Sequence, residues 1–317
     1  MQGTGTQNDP FVPNTWDDFV VAIATSGAYV ELPIELIRTS DDKVKNGKLY
    51  FDSQGNRIAT PIQSELSSYY ENNFKFDMNT VNPLGVFISF NNCHVNGNGG
   101  SIVNLYVPND DTGILVNAGT VYLQDINFLN IYCDNSSDKG VFSCWNNTRN
   151  YELTNVQFQG VINRGYMLGV NGGNRKHIST TFSLTFSENA KFCPVYLDDS
   201  NKYYSFCLFD FYGNPTYLFD TSNGNRFLNC KMTGELFGTY DGNRPLFPFS
   251  SNATTCVVDL DVTNYSGVYF EYNGSNPCII NTDKLSSGTT YRGLTGVTAQ
   301  QLQDASYLRS FGFPVGD

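Results

Sequence analysis

The feature that most constrains this chain is a repeat in its middle. Residues 121–131 and 151–161 align at a constant offset of 30, with Leu123 against Leu153, Ile126 against Val156, Phe128 against Phe158 and Ile131 against Val161. A fixed period of this size marks architectures in which each repeat buries its apolar face on its neighbours. Within each copy, apolar and polar residues alternate locally, which is the period of a strand and not of a helix. A short strand, a turn of Asn, Asp or Gly, and another short strand fit one coil of a parallel β-helix, at about 20–30 residues per coil.

The flanks read as closures of such a stack. The first ten residues, rich in Gly, Thr, Asn and Pro, read as a flexible lead-in. Thr15 then suits a helix N-cap, with Asp17 and Asp18 in the positive first turn. Trp16, Phe19, Val20 and Ile23 share one face, and Gly27 is placed to stop the helix. Residues 28–32 read as the first strand, so the helix is positioned to cover the open end of the solenoid. Further strands are predicted at 49–51, 74–76, 86–90, 93–95, 102–107, 182–186, 205–211, 217–219, 227–232, 256–262, 268–272 and 278–280. Near the C-terminus, Thr298 and Gln301 form a capping-box pattern ahead of a helix over about 299–308. Gly312 ends that helix and leaves Phe311 and Phe313 to dock, as a second cap or an oligomer contact. The organisation expected is a lead-in and capping helix over 1–32, a β-helix over 33–292 and a helical tail over 293–317.

Composition limits the partners. With 19 basic and 30 acidic side chains, the 317-residue chain carries a net charge of −11, which disfavours nucleic acid and anionic membrane surfaces. Charged residues are few and aromatics many, unlike a disordered chain. No run of about 18 apolar residues is present, so no membrane span is expected. The first residues lack a basic segment followed by an apolar one, so no secretory signal is expected either. Eight cysteines are scattered without a C-x-x-C pair, and they read as small apolar core residues rather than zinc ligands.

Three segments carry a resemblance. Residues 3–11 (Gly-Thr-Gly-Thr-Gln-Asn-Asp-Pro-Phe) with Asn14-Thr-Trp-Asp-Asp-Phe19 resemble the opening of right-handed parallel β-helix proteins of bacteriophages and of some bacterial surface proteins. Residues 93–106 (Cys-His-Val-Asn-Gly-Asn-Gly-Gly-Ser-Ile-Val-Asn-Leu-Tyr) resemble their coils, and residues 302–314 resemble a closing segment of such chains. The likeness covers both ends and the middle. It implies an all-β fold: a right-handed, single-stranded parallel β-helix with a short N-terminal capping helix and a short C-terminal helical tail. Phage members of this group serve as virion fibres, decorations or tail spikes, and the spikes are often trimers. The expectation is therefore a non-enzymatic virion structural protein of the head or tail, exposed on the virion surface and made without a signal peptide. It would bind other virion proteins, assemble as a homotrimer and contact host surface polysaccharide. The alternatives are a polysaccharide-degrading tail spike and a bacterial surface adhesin.

Enzymes on this fold are polysaccharide lyases or hydrolases, which cluster carboxylates on the outer face, sometimes with Ca²⁺ and a basic residue. Asp259 and Asp261 are the nearest approach to such a pair. With Leu260 inward, both acids point out, about 6.5–7 Å apart along the strand, within the span of about 5–9.5 Å seen for paired glycosidase carboxylates. Any half-buried strand with outward acids produces the same pattern. Asp198 and Asp199 read as a loop. Arg164, Arg175 and Lys176 are candidate basic residues with no acid tied to them by sequence. His94 and His177 are the only histidines and read as ordinary surface or turn residues, which argues against a His-based metal site or triad. No catalytic residue, cofactor or metal ligand is assigned. Tyr203, Tyr204, Phe209, Phe211 and Tyr212 cannot all face one core if they share a strand, so some are expected to meet a sugar or a partner chain.

Overall fold

The two copies of the repeat lie side by side as parallel strands. Strand Asn150–Thr154 pairs with Thr120–Gln124, placing Leu153 opposite Leu123. Strand Gln157–Tyr166 pairs with Asn127–Asp134, placing Phe158 opposite Phe128. Their rings stack at 5.1 Å with planes 7° apart. The stack continues from Phe158 to Phe182 at 5.4 Å and from Phe182 to Phe209 at 5.5 Å, and all four side chains are fully buried. One ring per coil follows from the period. Each coil presents the same inward position, and strands about 4.8 Å apart set the rings at stacking distance.

This computed structural model describes residues 1–14, 16–32, 88–103, 106–107, 113–135, 140–144, 149–169, 173–193, 202–215, 217–219, 225–240, 246, 248–249 and 253–313. The strands predicted at 49–51 and 74–76, and the Thr15 cap, lie outside them. The described coils form a parallel β-solenoid. Seven strands make the first sheet, from Tyr29–Glu31 through His94–Asn96, Thr120–Gln124, Asn150–Thr154, Arg175–Ile178 and Lys202–Ser205 to Asn225–Leu228. The second sheet runs from Ser101–Val103 to Thr295–Val297, and two three-stranded sheets lie on the remaining side.

Each coil turns from the first sheet to the second through one residue in the left-handed region: Asn98, Asp125, Asn155, Ser179, Phe206, Asn229 and Thr255. Asn and Asp tolerate this conformation because their short polar side chains bond locally. The turns are stitched along the stack. The amides of Asp125, Asn155, Ser179, Phe206 and Asn229 each donate to a carbonyl of the next coil at 2.8–3.0 Å, and Asn155 Nδ2 donates to Asp125 Oδ1 at 2.6 Å. The residue after the turn points into a narrow corner. Ile126 and Val156 fill it in the early coils and Cys207, Cys230 and Cys256 in the later ones. Cys93, Cys133, Cys144, Cys207, Cys230, Cys256 and Cys278 are free and buried, and burial pushes the Cys93 and Cys133 thiols up to about 12. They act as small apolar core residues, as read from sequence.

Five expectations are corrected. The strand expected over 227–232 is two, Asn225–Leu228 and Lys231–Thr239, with the turn at Asn229 between them. A bulge after Phe158 shifts the register, so Ile131 faces Gly160 and Val161 faces Tyr132, although Ile131 and Val161 are both buried. The single strand expected over 205–211 is two strands, Lys202–Ser205 and Leu208–Gly213, with the turn at Phe206 between them. The turn resolves the aromatic conflict: Tyr204, Phe209 and Phe211 are buried inside, and only Tyr203 and Tyr212 point out. The lead-in is not loose. Phe11 N donates to Tyr29 O at 2.8 Å and Glu31 N to Phe11 O at 2.9 Å, so the first residues pair with the edge of the first coil. The predicted C-terminal helix is two, α2 and α3 below.

The ends are closed differently. Helix α1 (Trp16–Ala24) buries Phe19, Ala22 and Ile23, with Phe19 edge-on to Phe90 at 6.4 Å. Gly27 ends this segment at a φ of 79°, a value that disfavours other residues. At the other end, Asp304 divides α2 (Ala299–Gln303) from α3 (Ala305–Ser310) by capping the second. The Thr298–Gln301 capping box is present. The tail packs Leu302, Tyr307, Leu308, Phe311 and Phe313 against Val257, Ile279 and Val297. Val257 and Ile279 are register partners on the outward side of the second sheet, so the tail lies along the flank of the last coils.

Candidate functional site

Alternation along the first sheet sends one residue per coil outward in a single column. The pairing registers line up Tyr29, His94, Tyr122, Glu152, Lys176, Tyr203 and Arg226. The upper part is aromatic: Tyr29 stacks on His94 at 4.4 Å and His94 on Tyr122 at 4.3 Å. Burial between these rings lowers the His94 pKa, so the imidazole is neutral near pH 7. The lower part is charged. Lys176 Nζ lies 3.1 Å from Glu152 Oε2, and Tyr203 and the exposed Arg226 follow.

Two hollows run along this column and meet at Tyr122. One, of about 260 Å³, is lined by Tyr29, Glu31, His94, Asn96 and Gln124 with residues of the N-terminal segment. The other, of about 540 Å³, is lined by Thr120, Asn150, Glu152, Lys176, Tyr203 and Arg226 among others. Aromatic rings interleaved with amides and a few charges are the composition of a surface that takes sugars or polar chains.

Behind the larger hollow the neighbouring column is Tyr151, Arg175 and Lys202, all buried. Arg175 Nη1 donates to Gly169 O at 3.3 Å. His177 lies deeper, on the inward column, at 3.1 Å from the Tyr151 hydroxyl and stacked on Tyr204 at 4.7 Å. Burial, aided by Arg175 and Lys202, pushes its pKa down to about 3. It is a neutral core ring, not the surface or turn residue expected, while His94 is part of the outer face.

The acid pair read from sequence does point outward on the second sheet, but each carboxylate is already engaged. Asp259 receives Asn281 Nδ2 at 2.8 Å and Lys284 Nζ at 2.9 Å, with Lys231 Nζ at 3.9 Å. Asp261 accepts from Thr263 N at 2.9 Å and Thr263 Oγ1 at 2.7 Å. The fold adds two acids to this face that sequence did not single out: Glu235 opposite Asp261, and Asp210, held by Ser183 and Thr233. Among the described residues no group of three or more His, Cys, Asp or Glu is arranged to hold a metal. Asp198 and Asp199 lie outside the described residues. The basic candidates are tied elsewhere: Arg164 to Asp134 at 2.7 Å and Lys176 to Glu152, so the structure supplies acids that sequence did not, and Arg175 is buried.

No family model, no curated protein and no solved structure matches this chain. No helix among the described residues is long and apolar enough to cross a membrane.

Proposed function

We propose that this protein is a non-enzymatic structural component of a bacteriophage particle, a β-solenoid fibre or decoration on the virion surface. Its first sheet would contact host surface glycans. The observation that carries the reading is the outward column from Tyr29 to Arg226, with its two joined hollows running along a rigid stack. The virion assignment is supported by the resemblance of residues 3–19, 93–106 and 302–314 to phage β-helix chains. Engagement of Asp259 by Asn281 and Lys284 favours a structural role over a glycan-degrading spike, because a carboxylate held by a cation and an amide is a poor general acid. Assembly as a homotrimer through the tail is part of the proposal. Immunogold labelling of purified particles, with antibody against this chain, tests the location. Gold on particles is expected. Label confined to the bacterial envelope would move the chain to the adhesin reading.

A further inference from the structure

The charge of the groove does not match the charge of the chain. Overall the protein carries −11. Among the described residues in and directly behind the larger hollow, Arg175, Lys176 and Arg226 face one carboxylate, Glu152. Lys176 already pairs with Glu152. Arg226 is exposed and makes no ion pair with a described residue. Arg175 is almost wholly buried, so its charge is less screened by water than that of the surface pair. A local cationic field on an acidic molecule draws anions to this face and repels them elsewhere.

We propose that this groove selects carboxylate-bearing polysaccharide, a chain of uronic or ulosonic acid units lying along the column from Lys176 to Arg226. Tyr203 stands between the two cations in register. Among the described residues it stacks on no other ring, whereas Tyr29, His94 and Tyr122 stack on one another. No described ring therefore competes with a sugar for its face. Lys176 and Arg226 are two strands apart, about 10 Å. An extended pyranose chain advances by about one ring per coil, so a ring on Tyr203 puts its neighbours beside the two cations. The guanidinium of Arg226 suits bidentate capture of a carboxylate, and Lys176 acts as a point charge. Asn150 and Asn174, on the same wall, supply amides for hydroxyls.

This inference rests on the glycan-contact reading above, and one experiment separates their fates. The full chain is titrated with polygalacturonate, alginate and polysialate, and in parallel with neutral dextran and galactomannan. Binding to at least one carboxylated polymer is expected, weakening as salt rises and several-fold weaker in Arg226→Gln and in Lys176→Gln. Lys231→Gln, on the second sheet, should bind as wild type, and circular dichroism checks that each variant is folded. Equal binding of neutral polymers, or unchanged binding in Arg226→Gln, overturns the carboxylate selectivity while leaving glycan contact standing. Failure of every polymer, charged or neutral, removes both.

Discussion

The residues that matter most to this fold are those that recur at one position per coil. Phe158 is fully buried between Phe128 and Phe182, with a ring on each side at 5.1 and 5.4 Å. Truncating it removes two stacking contacts and leaves a cavity that neighbouring coils cannot close without shifting their strands. Phe158→Ala should cost about 3–5 kcal/mol, read as a lower urea midpoint at unchanged slope. His177 makes a second residue-level prediction. Its imidazole takes a proton near pH 6.5 when unfolded but only near about 3 when folded. Between those values the unfolded chain binds more protons, so stability falls as pH drops through that window, by at most about 1.4 kcal/mol per pH unit. In His177→Phe, which keeps a ring over Tyr204, the decline in urea midpoint between about pH 6.5 and pH 4.5 should be shallower than in wild type. Parallel curves for the two proteins would show that His177 is not the titrating group.

At the scale of elements, the parts legible in the sequence were those with a local signature. The period of 30 gave the pairing of Leu123 with Leu153 and of Phe128 with Phe158. The apolar face of Phe19 and Ile23 and the stop at Gly27 gave helix α1, and Thr298 with Gln301 gave the start of α2. What failed was the placing of turns inside apolar runs, at Phe206 and again at Asn229. Phe206 occupies the left-handed turn that Asn98, Asp125, Asn155 and Asn229 fill elsewhere, so the two strands around it read as one. Its ring is also exposed, an unusual combination for a bulky side chain. The groove was illegible for a different reason. Its column steps from His94 to Tyr122, Glu152, Lys176, Tyr203 and Arg226 at 28, 30, 24, 27 and 23 residues, set by loop lengths that vary coil by coil. The tail covers Ile279 and Val297 with Phe313, while Leu302, Tyr307, Leu308 and Phe311 remain half-buried. Removing everything after Gly293 should expose the flank of the last coils, lower the melting temperature and, on the trimer proposal, convert a trimer to a monomer in light scattering. Two monomers of equal solubility would make the tail an intrachain cover only.

For the molecule as a whole, stacking joins two kinds of order. The interior is a continuous ladder of buried rings, aliphatic side chains and cysteines that leaves each coil dependent on its neighbours. The exterior inherits the same ladder, so outward side chains fall into columns that run the length of the stack. One face becomes a line of aromatic and cationic groups suited to a long polymer. Another becomes a field of acids held by amides, hydroxyls and lysines, with Asp259 the most tightly engaged. On the proposed reading, this molecule holds glycan on the first sheet and does not cut it. A single incubation of the full chain with capsular and carboxylated polysaccharides decides between holding and cutting. In that incubation, polymer retention and the release of reducing or unsaturated ends are followed together. Retention that weakens in Arg226→Gln, with no release of ends, is expected. Release of ends that is lost in Asp259→Asn or Asp261→Asn would contradict it and make the chain a glycan-degrading spike.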